Sequence, residues 1–144
     1  MDDRVAAFIG KNHAAAMATL RPDGTAHVVR VGVGVADGKI WSSGTQFRLR
    51  TKHLRRDPRS TLFVFDTSPD PKFLSLETTV TILEGPDAPE LHLRLFREMQ
   101  GERVAEGKIA WFGGELTEEE FLETMRAEGR LIYEFDVKRA YGYY

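Results

Sequence analysis

Two turn sequences divide the first third of the chain into short extended segments. Residues 21–24 read Arg-Pro-Asp-Gly, a combination that favours a tight turn, and residues 36–39 contain the Asp-Gly pair common in β-hairpins. The segments on either side begin near Ala14 and continue past Val35. Three antiparallel strands joined by hairpins are therefore predicted before residue 45.

Strands and helices alternate through the rest of the chain. A helix is predicted for residues 1–10, another after Ala88, and a third that begins with a capping box formed by Thr117 and Glu120. Further strands are predicted at residues 60–66, 73–84 and 130–137. Residues 101–114 follow no regular pattern and receive no assignment. This order favours a mainly β fold, a small antiparallel barrel with peripheral helices in one domain of 144 residues.

The second predicted strand alternates in an unusual way. Valines occupy one face from Val29 to Val35, and the opposite face carries Arg30, Gly32 and Gly34. Glycine weakens a strand, so two glycines on one face indicate that something approaches the backbone closely. One interpretation is contact with another sheet or subunit. The other is a flat ring lying on the bare backbone.

A short basic helix is predicted after residue 45. Phe47, Arg50 and Leu54 recur at helical spacing, and Pro58 ends the helix by removing Asp57 from helical angles. The preceding strand ends with Ser42, Ser43, Gly44 and Thr45. We expect the Thr45 hydroxyl to cap the helix, whose free N–H groups and dipole attract an anion.

Positive charge is concentrated in this helix, although the formal net charge of the whole chain is only -2. Arg48, Lys52 and Arg55 fall on one helix face, and Arg50 lies nearer its start. No acid at i,i+4 spacing neutralises them. The stretch therefore predicts a phosphate site built from hydroxyl groups, amides and guanidinium groups. The alternative is a solvated basic face that only keeps the protein soluble.

Several other functions are not favoured by the sequence. The chain contains no glycine-rich nucleotide motif and too few interleaved aromatics for a nucleic-acid surface. It contains no cysteine, which excludes disulfides and thiolate chemistry and fits a cytoplasmic location. Its four histidines lack the spacing of metal ligands. No apolar run approaches a membrane span, and no signal peptide is predicted.

Three segments carry a resemblance to a known family: residues 18–29 (Ala-Thr-Leu-Arg-Pro-Asp-Gly-Thr-Ala-His-Val-Val), residues 37–41 (Asp-Gly-Lys-Ile-Trp), and Lys52 followed by residues 54–59 (Leu-Arg-Arg-Asp-Pro-Arg). Together they resemble the pyridoxamine 5'-phosphate oxidase-like split-barrel superfamily. Within it, the chain is most similar to the F420-dependent flavin/deazaflavin oxidoreductase B group. The resemblance extends from about Ala14 to Gly142.

The resemblance implies a homodimer of six-stranded split barrels of the FMN-binding type, with the cofactor in a groove between subunits. It places phosphate contacts at Thr45, Arg50 and Lys52, with Ser42 and Ser43 nearby. Together with Arg48, Gly32 and Gly34 from the patterns above, these residues form the predicted cofactor site. The implied cofactor is coenzyme F420, with FMN as the alternative.

The sequence departs from the family pattern at three places. Glu77-Thr78 stands where the family often has Glu-Gly, and Val137 stands where it usually has proline. The carboxy-terminal Arg-Leu-x-Pro signature of pyridoxamine-phosphate oxidases is absent, which argues against that activity.

The resemblance implies hydride transfer to a small electrophilic substrate such as an enone. The cofactor carries this chemistry, so no catalytic triad is expected. No catalytic residue is assigned. His27, Glu77 and Tyr141 are candidates for a proton donor, although each is more often structural. A non-catalytic protein that stores or senses a cofactor remains the alternative to an enzyme.

Overall fold

A curled antiparallel sheet with helices packed around it forms the molecule. The computed structural model describes residues 1–144. The helices are α1 (Asp3–Lys11), α2 (Leu49–Arg56), α3 (Ala88–Gln100) and α4 (Glu118–Ala127). The strands are β1 (Ala14–Leu20), β2 (Ala26–Gly32), β3 (Gly34–Ala36), β4 (Lys39–Thr45), β5 (Arg59–Phe65), β6 (Phe73–Leu83), β7 (Lys108–Trp111), β8 (Gly114–Thr117) and β9 (Arg130–Tyr143). The mainly β prediction is confirmed.

Seven strands form the main sheet, in the order β2-β1-β5-β6-β9-β4-β3. The prediction of six was wrong, because the run of residues 25–35 forms two strands, and four strands rather than three precede α2. Val33, between these two strands, is not paired within the sheet. Its amide donates to the His13 carbonyl oxygen, and its own carbonyl oxygen lies 2.9 Å from His13 Nδ1. Since β2 and β3 are consecutive in sequence yet lie at opposite edges of the sheet, the sheet must curl into a barrel. The two ends of the curled sheet meet along a seam between β2 and β4. Across this seam the Ser42 hydroxyl donates to the carbonyl oxygen of Gly32 at 2.7 Å.

Both predicted hairpins are present. In the first, Leu20 lies opposite Ala26 across the Arg-Pro-Asp-Gly turn. In the second, Ala36 lies opposite Lys39, and both turn residues have positive φ, 52° at Asp37 and 72° at Gly38. These are the angles of the primed turns that match strand twist.

The barrel interior is the main core. It contains 17 buried residues from the strands, from α1 and from α2, among them Ile9, Met17, Leu62 and Tyr133. Burying a large apolar side chain of this kind stabilises a fold by about 1.5–3 kcal/mol. Helix α3 covers the outer face of β3, β4 and β9 through Leu95, and α4 packs on β7 through Phe121.

The amino-terminal helix and the capping box were predicted correctly. The carboxylate of Asp2 accepts a hydrogen bond from the Arg4 amide at the start of α1. Thr117 and Glu120 cap α4 reciprocally, and Gly129 follows its end with φ of 61°. Residues 101–114, left unassigned, contain β7 and the start of β8, which form a separate hairpin. No helix is long and apolar enough to cross a membrane.

The last strand is longer than predicted. It continues through the aromatic tail to Tyr143, pairing with β6 from Leu83 down to Phe73. Gly142 is required here, because a β-carbon at this position would lie 2.3 Å from the carbonyl oxygen of Phe73.

Candidate functional site

The predicted cap of the basic helix is wrong. Helix α2 begins at Leu49 with Arg48 as its N-cap, three residues beyond Thr45. The Thr45 hydroxyl instead accepts a hydrogen bond from the Phe47 amide at 3.3 Å and closes a local turn. Phe47 lies outside the helix and is 79% exposed, so it does not belong to the buried face of α2.

The first turn of α2 lacks the groups that normally satisfy a helix start. Arg48 makes no side-chain capping bond, and no acidic residue lies in the first turn. The N–H groups at a helix start have no intrahelical partner and carry the positive end of the helix dipole. The end of α2 where Arg48 and Arg50 lie is therefore open to an anion.

Arg50 lies between this helix start and the barrel. Its Cζ is 5.6 Å from the centre of the Tyr133 ring, and its Nη2 donates to the carbonyl oxygen of Ser43 at 3.3 Å. Its Nε is buried and has no hydrogen-bond partner. Burial is the main cause that lowers the pKa of Arg50, and the charges of Arg48 and Arg130 add to it. An arginine so placed favours a negatively charged partner.

Tyr133 supports Arg50 from within the barrel. Its ring lies against Gly44, where a β-carbon would come within 2.3 Å of the ring. The Thr51 hydroxyl donates to the Thr45 carbonyl oxygen at 2.6 Å, so the Tyr133 hydroxyl must donate to Thr51. Burial raises the pKa of Tyr133, which remains a neutral donor. The Thr45 carbonyl oxygen thus helps to hold α2 against Tyr133.

Ser42 and Ser43 point to opposite faces of β4. Ser42 is fully buried, and its hydroxyl is occupied by the seam bond to Gly32, so it cannot contact a ligand as predicted. Ser43 faces α3, where its hydroxyl lies 2.9 Å from His92 Nε2 and 3.4 Å from Arg130 Nη1. Sequence reasoning missed both of these partners, because His92 is 49 residues away and Arg130 is 87.

Three of the basic residues already have partners within the protein. Arg55 forms a twofold hydrogen bond with Glu84, Arg59 pairs with Asp57, and Arg56 donates to the Leu20 carbonyl oxygen. The pKa of Asp57 falls to about 2, chiefly because the Arg59 side chain donates to it. Fewer basic residues therefore carry an uncompensated charge than the sequence indicated. Those that remain are Arg48, Arg50 and Lys52. Arg48 and Lys52 are exposed.

The two glycines of the second strand lie under α3. A β-carbon at Gly32 would be 3.2 Å from Met99 Sδ, and one at Gly34 would be 3.0 Å from Leu95 Cδ1. The close approach inferred from the glycines is therefore real, but it is made by a helix of the same chain. Side chains of α3 lie beside both glycines, so the structure gives no support to a cofactor ring at Gly32 and Gly34.

A buried polar contact fixes α2 against the barrel. The Thr19 hydroxyl lies 2.8 Å from His53 Nδ1, and the rings of His53 and His27 meet edge to face at 5.2 Å. Burial lowers the pKa of His53, and the positive charges of Arg56 and Arg21 and the neighbouring His27 act in the same direction. The Nδ1 of His27 is buried without a partner.

The three candidate proton donors lie on two different surfaces. Glu77 pairs with Arg139 at 3.5 Å, and Tyr141 is directly opposite Ser75, so both side chains lie on the outer face of β6 and β9. His27 points into the end of the barrel against His53. No group of three or more His, Asp or Glu side chains is placed to hold a metal ion.

Comparison with known proteins identifies the family to which this chain belongs. Residues 1–143 match the pyridoxamine 5'-phosphate oxidase family. The chain is a member of this family, and the resemblance inferred from the sequence is confirmed. A search among curated proteins finds no match.

Solved structures of similar fold cover nearly the whole chain. A conserved hypothetical protein, Rv2991 from Mycobacterium tuberculosis, is 24% identical with a TM-score of 0.74, over 99% of this chain and 84% of that one. An F420 reductase is 18% identical with a TM-score of 0.67, over 94% of both chains. The heme storage protein HutZ from Vibrio cholerae is 12% identical with a TM-score of 0.67, over 99% of this chain and 94% of that one. At these identities the likeness establishes the split-barrel fold alone.

Proposed function

We propose that this chain is an F420-dependent oxidoreductase, which transfers a hydride between the deazaflavin and a small conjugated organic substrate. The observation that carries the proposal is the start of α2. There an uncapped helix end, Arg48 and Lys52 accompany the unpartnered buried Nε of Arg50. This arrangement suits a phosphate group, which both F420 and FMN carry.

The residues present fit a phosphate-bearing cofactor at one end. Arg50 is held by Tyr133 and Ser43, so its guanidinium group is oriented before a ligand arrives. Lys52 and Arg48 add charge without fixed geometry. When bound, F420 supplies the hydride, and the protein contributes binding, orientation and a positive potential.

The F420 reductase among the similar structures supports F420 over FMN, as does the sequence resemblance to the F420-dependent group. FMN is the alternative cofactor, since it presents the same phosphate chemistry. The similarity to HutZ supports a second alternative, a protein that binds a cofactor without turning over a substrate.

We further propose that the protein is a homodimer whose cofactor groove uses both chains. The support is a row of aromatic side chains on the outer face of β5, β6 and β9. Phe63, Phe65, Tyr141 and Tyr143 are exposed, and Phe73 between them is half-buried. Phe63 and Phe73 stack at 5.5 Å, and Phe65 continues the row at 5.8 Å from Phe63. A contiguous apolar surface of this kind marks an interface, and a second copy of the chain is the partner proposed.

Reduced F420 mixed with a panel of enones tests the activity. We expect oxidation of F420, seen as the return of its visible absorbance, with at least one enone and not without protein. A flavin spectrum in the purified protein and turnover with FMN would transfer the proposal to the FMN alternative. Tight cofactor binding with no turnover of any electrophile would favour the storage alternative.

A further inference from the structure

A cavity of about 400 Å³ lies between α1 and the turn that joins β5 to β6. Sites for small molecules in proteins have volumes of roughly 300–1,000 Å³. Tyr144, which lines this cavity, directly follows the end of β9, whereas Arg130 at the other end of this 14-residue strand lies opposite Thr45. No residue of α2, or of the turn before it, lines the cavity. It is therefore separate from the proposed cofactor phosphate site.

One wall of the cavity is the outer flank of α1. Arg4, Ala7 and Lys11 have the i, i+3, i+7 spacing that places residues on one face of a helix. Val5 and Ile9, on the opposite flank, are buried in the barrel. Ala7 is exposed and carries only a methyl group between two long basic side chains. The open space along this wall therefore depends on the small side chain of Ala7.

Aromatic rings fix one of the cations beside this space. The rings of Phe8 and Tyr144 meet edge to face, with their centres 6.3 Å apart. The guanidinium carbon Cζ of Arg4 lies 4.7 Å from the centre of the Tyr144 ring. A guanidinium group that lies over a ring keeps the N–H donors in its own plane for another partner. Arg4 is thus held in place with donors available to a ligand.

The charge along the cavity is mainly positive. Arg4, Lys11 and Lys72 line it, and the only carboxylate side chain among the lining residues is that of Asp66. Lys72 pairs with Asp70 at 3.8 Å, and neither Arg4 nor Lys11 forms an ion pair within the protein. Positive charge beside an aromatic wall is complementary to a molecule that combines a negative group with a flat ring.

We propose that this cavity binds a small aromatic carboxylate, with the carboxylate on Arg4 and the ring over Ala7 beside Tyr144. The planar fork of arginine donates two parallel hydrogen bonds to one carboxylate. Lys11 and Lys72 add positive charge without a fixed geometry. All lining residues belong to one chain, so this site requires neither the cofactor nor the proposed dimer.

The probes 2-naphthoate and 2-naphthamide share one ring system and differ in charge, so paired fluorescence titrations isolate the contribution of the carboxylate. We expect the wild-type protein to bind 2-naphthoate about tenfold more tightly than 2-naphthamide, the lower end for a charged contact because Arg4 is exposed. Equal affinities for the two probes, or binding of neither, would overturn the proposal and leave the basic residues of α1 as a solvated face.

Arg4→Gln removes the charge and keeps a long side chain that favours a helix. It should remove most of the preference for 2-naphthoate and leave 2-naphthamide binding unchanged. Arg126→Gln is the matched control, since Arg126 is an exposed arginine on α4 that pairs with Glu123, and it should change neither affinity. An unchanged preference in Arg4→Gln would exclude Arg4 from the site and overturn the proposal.

Ala7→Leu tests the cavity itself, because leucine is a strong helix former whose side chain fills the open space. Both probes should lose binding in Ala7→Leu and keep it in Ala7→Ser, which adds only a hydroxyl group. Retained binding in a folded Ala7→Leu variant would show that the probes bind elsewhere and would overturn the proposal.

Competition separates this cavity from the proposed cofactor site. Neither F420 nor FMN at saturating concentration should displace 2-naphthoate, followed by its NMR signals, and Lys52→Ala should bind 2-naphthoate as tightly as the wild type does. Displacement by either cofactor would show that 2-naphthoate occupies the cofactor site and would overturn the assignment to this cavity.

Discussion

The ring of Tyr133 lies directly against Gly44, and a β-carbon at Gly44 would be 2.3 Å from Tyr133 Cζ. Tyr133 is fully buried, and its hydroxyl is bonded to Thr51 of α2. The same ring faces the guanidinium group of Arg50. This pair therefore connects the packing of the barrel to the placement of Arg50, at the proposed phosphate site.

Replacing Gly44 with alanine should destabilise the protein by about 1–3 kcal/mol, the usual cost of overpacking a core. Urea unfolding measures the change. Gly10→Ala is the control, because nothing lies within 4 Å of a β-carbon there and Gly10 is inside α1. It should stabilise by roughly 0.5–1 kcal/mol. Equal stability of the two variants would contradict the close packing of Tyr133 on Gly44.

Lys52→Ala should weaken cofactor binding by about tenfold, the lower end for a charged contact, because Lys52 is exposed. Its free energy of unfolding should stay the same or rise slightly, since one of several like charges is lost. Titration and thermal melts measure the two effects. Arg59→Ala is the matched control, since Arg59 is paired with Asp57. Equal affinities for wild type, Lys52→Ala and Arg59→Ala would establish the solvated-face interpretation of the helix.

Arg50→Ala should weaken binding more than Lys52→Ala and should also lower stability. The additional loss follows from its contacts with Tyr133 and with the carbonyl oxygen of Ser43. The free energy of unfolding of Arg50→Ala and of Lys52→Ala, measured in urea without cofactor, shows whether only Arg50 contributes to stability. Unchanged stability in Arg50→Ala would contradict the packing of its guanidinium group.

Stability should fall as the pH falls from about 6.5 to about 4, because burial lowers the pKa of His92 from 6.5 to about 4. In this interval the unfolded chain binds a proton that the folded protein does not, so the free energy of unfolding rises with pH. The upper limit of the effect is roughly 3 kcal/mol. His53 acts in the same direction.

Urea unfolding between pH 4.5 and 7.5 measures this dependence. In His92→Gln the slope should become smaller, because glutamine can still accept from Ser43 but does not titrate. An identical slope in the variant would remove His92 from the explanation.

The aromatic row predicts a dimer in solution. Light scattering of the wild type should give twice the monomer mass at micromolar concentration. Phe63→Lys, within the row, should give a monomer because it buries a charge in the interface. Phe112→Ser is the control, since Phe112 is 87% exposed but lies at the tip of the β7–β8 hairpin. A monomeric wild type would reject the proposed dimer.

Local signals in the sequence were sufficient for much of the fold. The two hairpins and the capping box of α4 depend on residues within a few positions of one another, and all three are present. The break at Val33 was not visible, because it depends on hydrogen bonds to His13 that form only when the sheet curls. The close approach at Gly32 was inferred, but its partner, Met99, is too distant in sequence to be read from a pattern.

The site was predicted only in part for the same reason. Arg50 and Lys52 follow from the charge pattern and the family resemblance, and they lie at the start of α2 as expected. The contact between Arg130 and Ser43 could not be predicted, because one arginine at the start of a strand carries no signal until the fold brings it there. Sequence spacing also placed the N-cap of the helix at Thr45, whereas a turn delays the N-cap to Arg48.

The most direct test of the central claim is a fluorescence-quenching titration of the purified protein with F420 and with FMN under the same conditions. The account predicts that F420 binds, that it binds more tightly than FMN, and that Lys52→Ala weakens it. Tighter binding of FMN would indicate that FMN, the alternative, is the cofactor. Binding of neither, with the wild-type protein folded, would contradict the proposal that the start of α2 is a cofactor phosphate site.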